Sequence, residues 1–141
     1  MKISVVIPTF NRAALLKETL DSILKNSHVR LEVIVIDDNS TDGSIEMLED
    51  YARNDPRLFF YVKPADTPKG PSASRNMGVK IASGDYVHFF DSDDLAEENF
   101  YNDLERYLEN LKPEAFLFRM KWFTGKPDLI TGISGAFQKE D

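Results

Sequence analysis

Apolar runs that each end in a polar cluster set the layout of this chain. Ile3-Ser4-Val5-Val6-Ile7 is a largely β-branched run closed by Pro8, and Leu31-Glu32-Val33-Ile34-Val35-Ile36 repeats the signature. Near-continuous runs of this kind mark strands covered on both faces of a parallel sheet. Residues 58–62, 85–90 and 115–123 read as three more strands. Between them the apolar positions change to helical spacing. Leu15, Leu16, Thr19, Leu20, Ile23 and Leu24 predict a helix over 12–27 with Asn11 as its N-cap. Ile45, Leu48 and Tyr51 or Ala52 predict one over 44–53. A third, over 72–83, opens on small residues and is closed by Gly84 at the C-cap position. A fourth, over 97–111, turns Phe100, Leu104, Tyr107, Leu108 and Leu111 inward. Strands alternating with helices imply an α/β fold with a parallel sheet and right-handed crossovers. The segment 63–71, with three prolines and a glycine, is an irregular loop. Past residue 124 no period stands out.

Composition narrows the classes. At 141 residues the chain has the length of one domain, and 42% hydrophobic with 29% charged content is that of a globular protein. A formal net charge of −7 and a pI near 4.8 exclude broad binding to nucleic acid or anionic lipid, both of which need basic surfaces. The absence of cysteine removes disulfides, zinc thiolates and thiol nucleophiles. The amino terminus has no signal-peptide pattern, and no segment nears the roughly 20 apolar residues of a membrane span. The expectation is a cytoplasmic protein, at the membrane surface if it is part of a longer product.

Three polar segments follow predicted strands: Thr9-Phe10-Asn11, Asp37-Asp38-Asn39-Ser40 and Asp91-Ser92-Asp93-Asp94. In a parallel sheet they share the carboxyl edge, where open α/β sheets place their ligands. The acidic tetrad suits a hard divalent cation such as Mg²⁺ or Mn²⁺, since acids separated by one residue can point the same way. A solvated turn that caps the next helix is the plainer reading. Asp38 can accept hydrogen bonds from a ligand N–H or hydroxyl, or serve an Asx turn. Phe10 can stack on a planar base or pack in the core. Arg75 can reach a base or phosphate, or form a surface ion pair, and Lys69 in the loop is a further cation candidate. His28 and His88 lack metal-ligand spacing, and His88 reads as a packed residue. No Gly-x-Gly-x-x-Gly follows the first strand, no Walker lysine loop occurs, and no serine has a triad partner by motif.

Ser4-Val5-Val6-Ile7-Pro8-Thr9-Phe10-Asn11-Arg12, the stretch from Glu32 through Asp37-Asp38-Asn39-Ser40-Thr41-Asp42-Gly43-Ser44, and Asp91-Ser92-Asp93-Asp94 together resemble the glycosyltransferase family 2 pattern in order and spacing. Ser72-Ala73-Ser74-Arg75-Asn76-Met77-Gly78 is similar to the family's Ala-Arg-Asn-x-Gly segment, with Ser74 where alanine is usual. The resemblance covers about residues 2–123 and implies a glycosyltransferase A fold, a three-layer, Rossmann-like, mostly parallel sheet with flanking helices. It implies a metal-dependent, inverting transferase using a nucleotide-sugar donor, usually a uridine diphosphate sugar, and a saccharide, lipid-linked or other hydroxyl acceptor, as in polysaccharide biosynthesis. By position Asp38 resembles the base-recognising aspartate, with Phe10 and Pro8 beside the uracil and Arg75 holding the nucleotide. Asp93 resembles the metal ligand, Asp91 the first acid of the Asp-x-Asp motif near ribose or metal, and Asp94 a supporting acid. Mn²⁺ or Mg²⁺ would bridge the two phosphates.

The same resemblance makes residues 1–123 the donor-binding domain and 124–141 the start of an acceptor-side region that breaks off. The family's general base lies in that later half, so neither Glu140 nor Asp141 is assigned as the base. Two other readings share these residues: a nucleotide-sugar binding module without transfer, and a phospho-receiver domain. The receiver's acidic pair follows its first strand, whereas here the pair waits until Asp37.

Overall fold

The computed structural model describes residues 1–26, 30–116, 120–123 and 130–134. Strands β1 (Ile3–Thr9) and β2 (Leu31–Asp37) are buried along their whole length, which explains their near-continuous apolar character. They pair in parallel, Ile3 opposite Leu31 through Thr9 opposite Asp37. Strand β3 (Leu58–Val62) joins the far side of β2, and β4 (Tyr86–Phe89) the free side of β1, both in parallel. The sheet order is therefore β3-β2-β1-β4. Chain order reverses between β1 and β4, and such a switch point opens a crevice outside the carboxyl ends of the strands. The order also differs from the 2-1-3-4-5 arrangement of receiver-type folds.

Helices α1 (Ala13–Leu24), α2 (Ser44–Asn54) and α3 (Pro71–Ile81) fill the crossovers, and α4 (Phe100–Leu111) follows β4. Alternation along β1 and β2 sends Val6, Ile34 and Ile36 to one face of the sheet, where Met77, Ile81 and Ala82 of the α3 segment pack on them. Gly78 makes this approach possible, because a Cβ there would sit 2.3 Å from Val6 Cγ1. Leu16, Leu20 and Ile23 of α1 and Leu48 of α2 are fully buried, as their spacing predicts. The edge strands β3 and β4 are only partly covered, and Phe59, Tyr61 and Phe89 are exposed.

Four expectations need correction. Asn11 does not cap α1: it adopts a left-handed φ of 49°, and Arg12 takes the N-cap position without a side-chain bond. The cap comes from the next βα unit, where Asp42 Oδ2 accepts from the Ala13 N–H at 2.9 Å. Gly84 does not close α3, which ends at Ile81; its hydrogen atom faces β1, where a Cβ would lie 2.6 Å from Ser4 Oγ. Tyr107 and Leu111 point outward, and the inner face of α4 is Tyr101, Leu104 and Leu108. Tyr101 is drawn inward by His88, whose Nδ1 lies 3.1 Å from its hydroxyl, within a ring cluster that includes Phe90 and Phe100. Finally, β5 (Met120–Phe123) is not a fifth strand of the main sheet. It pairs antiparallel with β6 (Ile130–Ser134), which carried no sequence signal, in a two-stranded sheet of its own. Residues 117–119 of the predicted strand and His28 lie outside the described residues. The chain divides into two compact units, Met1–Asn110 and Leu111–Asp141, and the site described below belongs to the first.

Candidate functional site

The loops after β1, β2 and β4 meet at the switch point, and the first two are tied to each other by hydrogen bonds to backbone N–H groups. Thr9 O accepts from Asp38 N at 2.9 Å, Ser40 Oγ accepts from Asn11 N at 2.8 Å, and Asn11 Oδ1 accepts from Thr41 N at 2.8 Å. The left-handed conformations of Asn11 and Asn39 are ones that Asn tolerates better than most residues. Asp37 is the turn-forming acid of its pair, taking the Ser40 N–H on Oδ1. That leaves Asp38 free to face the cleft, so the Asx-turn alternative applies to its neighbour. Phe10, the first residue after β1, is 53% exposed and is not part of the core.

Asp38 is itself almost buried, at 8% exposure. Its Oδ2 accepts the Gly70 N–H at 2.7 Å, and Lys63 Nζ lies 2.9 Å from its Oδ1. Burial alone would raise the Asp38 carboxyl, but the Gly70 N–H and the Lys63 ammonium hold it below the usual carboxylate range. Lys63 was not a candidate from sequence. It stands immediately after β3, at the same edge as the other loops, and only that position could have singled it out.

The acidic loop shows a different balance. Asp91 and Asp93 are exposed, and each meets an arginine: Arg75 Nη2 is 2.5 Å from Asp91 Oδ1, and Arg12 pairs with Asp93. Arg12, second among the unforeseen residues, was visible only as the last letter of the first motif. Asp94 is half-buried and points elsewhere, its backbone carbonyl accepting from Thr19 Oγ1 at 2.8 Å. Burial raises the Asp94 carboxyl, and the charges on Asp91 and Asp93 push the same way. Among the described residues, no three His, Cys, Asp or Glu side chains form a ready-made cation cage. The donor chemistry still fits Mg²⁺ or Mn²⁺: such ions take hard oxygens, often one or two carboxylates, when phosphates and water complete the shell.

Pro8, Phe10, Asp38, Arg75, Asp91 and Asp93 all line one cleft of about 600 Å³, together with Arg12, Lys69 and Gly70. Every residue singled out for binding therefore reaches the same cavity. That cavity brings together a buried carboxylate, an exposed aromatic ring, and two exposed carboxylates each paired with an arginine. Such a site can take an elongated ligand with a planar, hydrogen-bonding end and an anionic end.

The sequence matches the description Glycosyl transferase family 2 over residues 4–138. An uncharacterized glycosyltransferase of Rickettsia bellii (strain RML369-C) is 38% identical over 117 residues, which make up 83% of this chain and 16% of that protein. The crystal structure of S. aureus TarS 1–349 in complex with UDP-GlcNAc is similar with a TM-score of 0.68 and 35% identity, covering 78% of this chain and 32% of that one. A mannosyltransferase from Pyrobaculum calidifontis, in complex with GDP-Man and Mn²⁺, gives 0.66 and 28% identity over 76% of this chain and 32% of that one. The chain spans between 14% and 43% of the length of the curated relatives it matches.

Proposed function

This chain belongs to glycosyl transferase family 2, and from that membership we propose that it carries the donor-binding part of a metal-dependent, inverting glycosyltransferase. The donor is a nucleotide-sugar, with uridine diphosphate as its nucleotide. The observation that carries this reading is the single cleft that Asp38 and Phe10 line together with Asp91, Asp93, Arg12 and Arg75. Its acids lie where a diphosphate alone would be repelled, so the anionic end of the ligand must arrive with cations, from the protein or from solution.

Each residue has a physical role in that reading. Asp38, held ionised, accepts a base N–H. Phe10 offers an exposed ring to the base, with Pro8 beside it. Asp91 and Asp93 would hold Mn²⁺ or Mg²⁺, while Asp94 fixes the loop through its neighbours. Arg75 and Arg12 bring positive charge to the same anionic end. A bound divalent cation supplies Lewis-acid stabilisation of the charge that develops on a departing nucleoside diphosphate. We assign residues 1–123 to donor binding and 124–141 to the start of the acceptor side. The proton acceptor for the attacking hydroxyl of a saccharide or lipid-linked acceptor is assigned to neither Glu140 nor Asp141.

Calorimetric titration of uridine, guanosine and cytidine diphosphates, with and without Mn²⁺, tests the assignment on wild type and Asp93→Ala. Metal-assisted preference for the uridine nucleotide, lost in Asp93→Ala, is the expected result. Binding indifferent to both metal and substitution refutes the role of Asp93, and preference for guanosine diphosphate refutes the uridine donor. Measuring donor hydrolysis and sugar transfer with the same protein separates a transferase from a module that only binds.

A further inference from the structure

We propose that Lys63 is a positioning residue for base recognition, its buried ammonium fixing the orientation of the Asp38 carboxylate and tying the 64–70 loop beside it. The inference rests on the reading of Asp38 as the base-binding acid.

Lys63 is 2% exposed, a burial that lysine rarely undergoes unless paired. It follows an edge strand whose Tyr61 and Val62 are 38% and 41% exposed, so solvent is close at hand, yet the side chain runs inward. Its ammonium donates to Pro68 O at 2.7 Å and stands 2.9 Å from Asp38 Oδ1. That Oδ1 is sealed from solvent and makes no aligned hydrogen bond, so the contact is an ion pair. The two carboxylate oxygens are thereby divided. Oδ1 is turned to Lys63, and Oδ2, which takes the Gly70 N–H at 2.7 Å, is the oxygen left for a ligand.

The loop itself needs this clasp. Its prolines have no N–H to donate, and its internal bonds are limited to the tight turn in which Thr67 reaches back to Pro64 O. The loop feeds directly into α3, which carries Arg75. Lys63 thus ties the base end of the cleft to the element that serves its anionic end. Replacing a buried pair by apolar groups often leaves stability unchanged or raises it, so stability alone gives little reason for a lysine here. The other charged groups around Asp38 are Lys69, whose field also favours the ionised carboxylate, and buried Asp37 next to it in sequence.

The test is calorimetric binding of uridine diphosphate, with Mn²⁺, to wild type, Lys63→Met, Lys63→Arg, Asp38→Asn and the Lys63→Met/Asp38→Asn double variant. Measurements run from about pH 5 to about pH 8, and variant-to-wild-type ratios cancel titration of the nucleotide's own phosphate. In Lys63→Met, Asp38 is left buried without its cation. The affinity ratio should then worsen by up to about tenfold per pH unit as the carboxyl protonates. In the Asp38→Asn background, Lys63→Met should cost less affinity than it does in wild type, leaving only the pH-independent share carried by the bond to Pro68 O. Lys63→Arg keeps the charge but not the fit, and should weaken binding with a flat pH profile; it serves as the test if Lys63→Met fails to fold by circular dichroism. Unchanged affinity in Lys63→Arg, a pH-independent loss in Lys63→Met, or an equal loss with and without Asp38 overturns the proposal. A wild-type chain that binds none of the nucleoside diphosphates overturns the reading of Asp38 itself, and is told apart because the failure precedes any substitution.

Discussion

Gly78→Ala tests how closely α3 is seated on the sheet. An added Cβ would stand 2.3 Å from Val6 Cγ1 and 3.2 Å from Cγ2. Carbon atoms are comfortable at about 3.5–4.0 Å, so roughly 1.2 Å of overlap must be relieved. Val6 cannot yield, because it is fully buried and its strand is paired on both sides, to Ile34 and to Phe89. Its β-branched side chain is also stiff at χ1. The helix must lift instead. Overpacking of this kind costs about 1–3 kcal/mol, while the better helix propensity of alanine returns at most about 1 kcal/mol. With the overlap this deep the cost falls at about 2–3 kcal/mol, and a net loss of about 1–2 kcal/mol follows, or roughly 3–8 °C in Tm for a chain of this size. Because α3 carries Arg75, nucleotide affinity should fall in the same variant. Adding Val6→Ala makes room, so the double variant should be more stable than the sum of the two single losses. Thermal melts by circular dichroism and calorimetric titration read both effects. A Gly78→Ala protein as stable as wild type, with additive behaviour in the double variant, would falsify the close seating.

Two further outcomes follow from other parts of the molecule. Phe10→Ala removes a ring that is 53% exposed, so stability should move by no more than about 0.5 kcal/mol, whereas uridine diphosphate affinity should fall by about 1–3 kcal/mol if the ring stacks on the base. The reverse pattern, a lower Tm with unchanged binding, returns Phe10 to a packing role. Burial would raise the Glu32 carboxyl, but Lys2, Ser4 and Ser83 together pull it from its ordinary 4.5 down to about 2. A folded-state value below the unfolded one stabilises at pH above about 4.5 and is lost as pH falls toward about 2, by up to about 3 kcal/mol. Urea midpoints measured at neutral pH and near pH 3 should show this slope, and Glu32→Gln should flatten it; an equally steep slope in the variant would place the acid sensitivity elsewhere.

Much of the fold could be read from residue pattern because β1 and β2 are interior strands, covered on both faces, where alternation gives way to a near-continuous apolar run. The cleft was legible for the same reason: once strands are parallel, the polar clusters at their carboxyl ends must share an edge. What escaped was set by partners distant in sequence. Asn11 is a good capping residue by type, yet its side chain binds Thr41 rather than the helix it precedes. Lysine after an edge strand is ordinarily solvated, and Lys63 is buried only because Asp38 and Pro68 converge on it from other segments. Tyr101 was not among the inward residues read from helical spacing, which does not weigh the attraction of buried His88 for a hydroxyl. Strand β6 separates its two isoleucines with a threonine and a glycine and pairs in a small sheet, so no run of sufficient length announced it.

The capping of α1 by Asp42 has a consequence for the order of assembly. During synthesis the first helix leaves the ribosome well before the carboxylate that completes it, which lies 29 residues downstream of Ala13. The first strand waits similarly, for Leu31 on one side and for Tyr86 on the other. A nascent fragment that ends before Leu31 holds neither a finished helix nor a partner for β1, one that ends before Asp42 still lacks the helix cap, and non-local closures of this kind come late and slowly. Once the second strand and its loop emerge, cap, strand pairing and the loop clasp around Asn11 can all form in one cooperative event. The clasp around Asn11 is then in place, while Asp38 still waits for Lys63 and Gly70 and the acidic loop waits for β4 to dock.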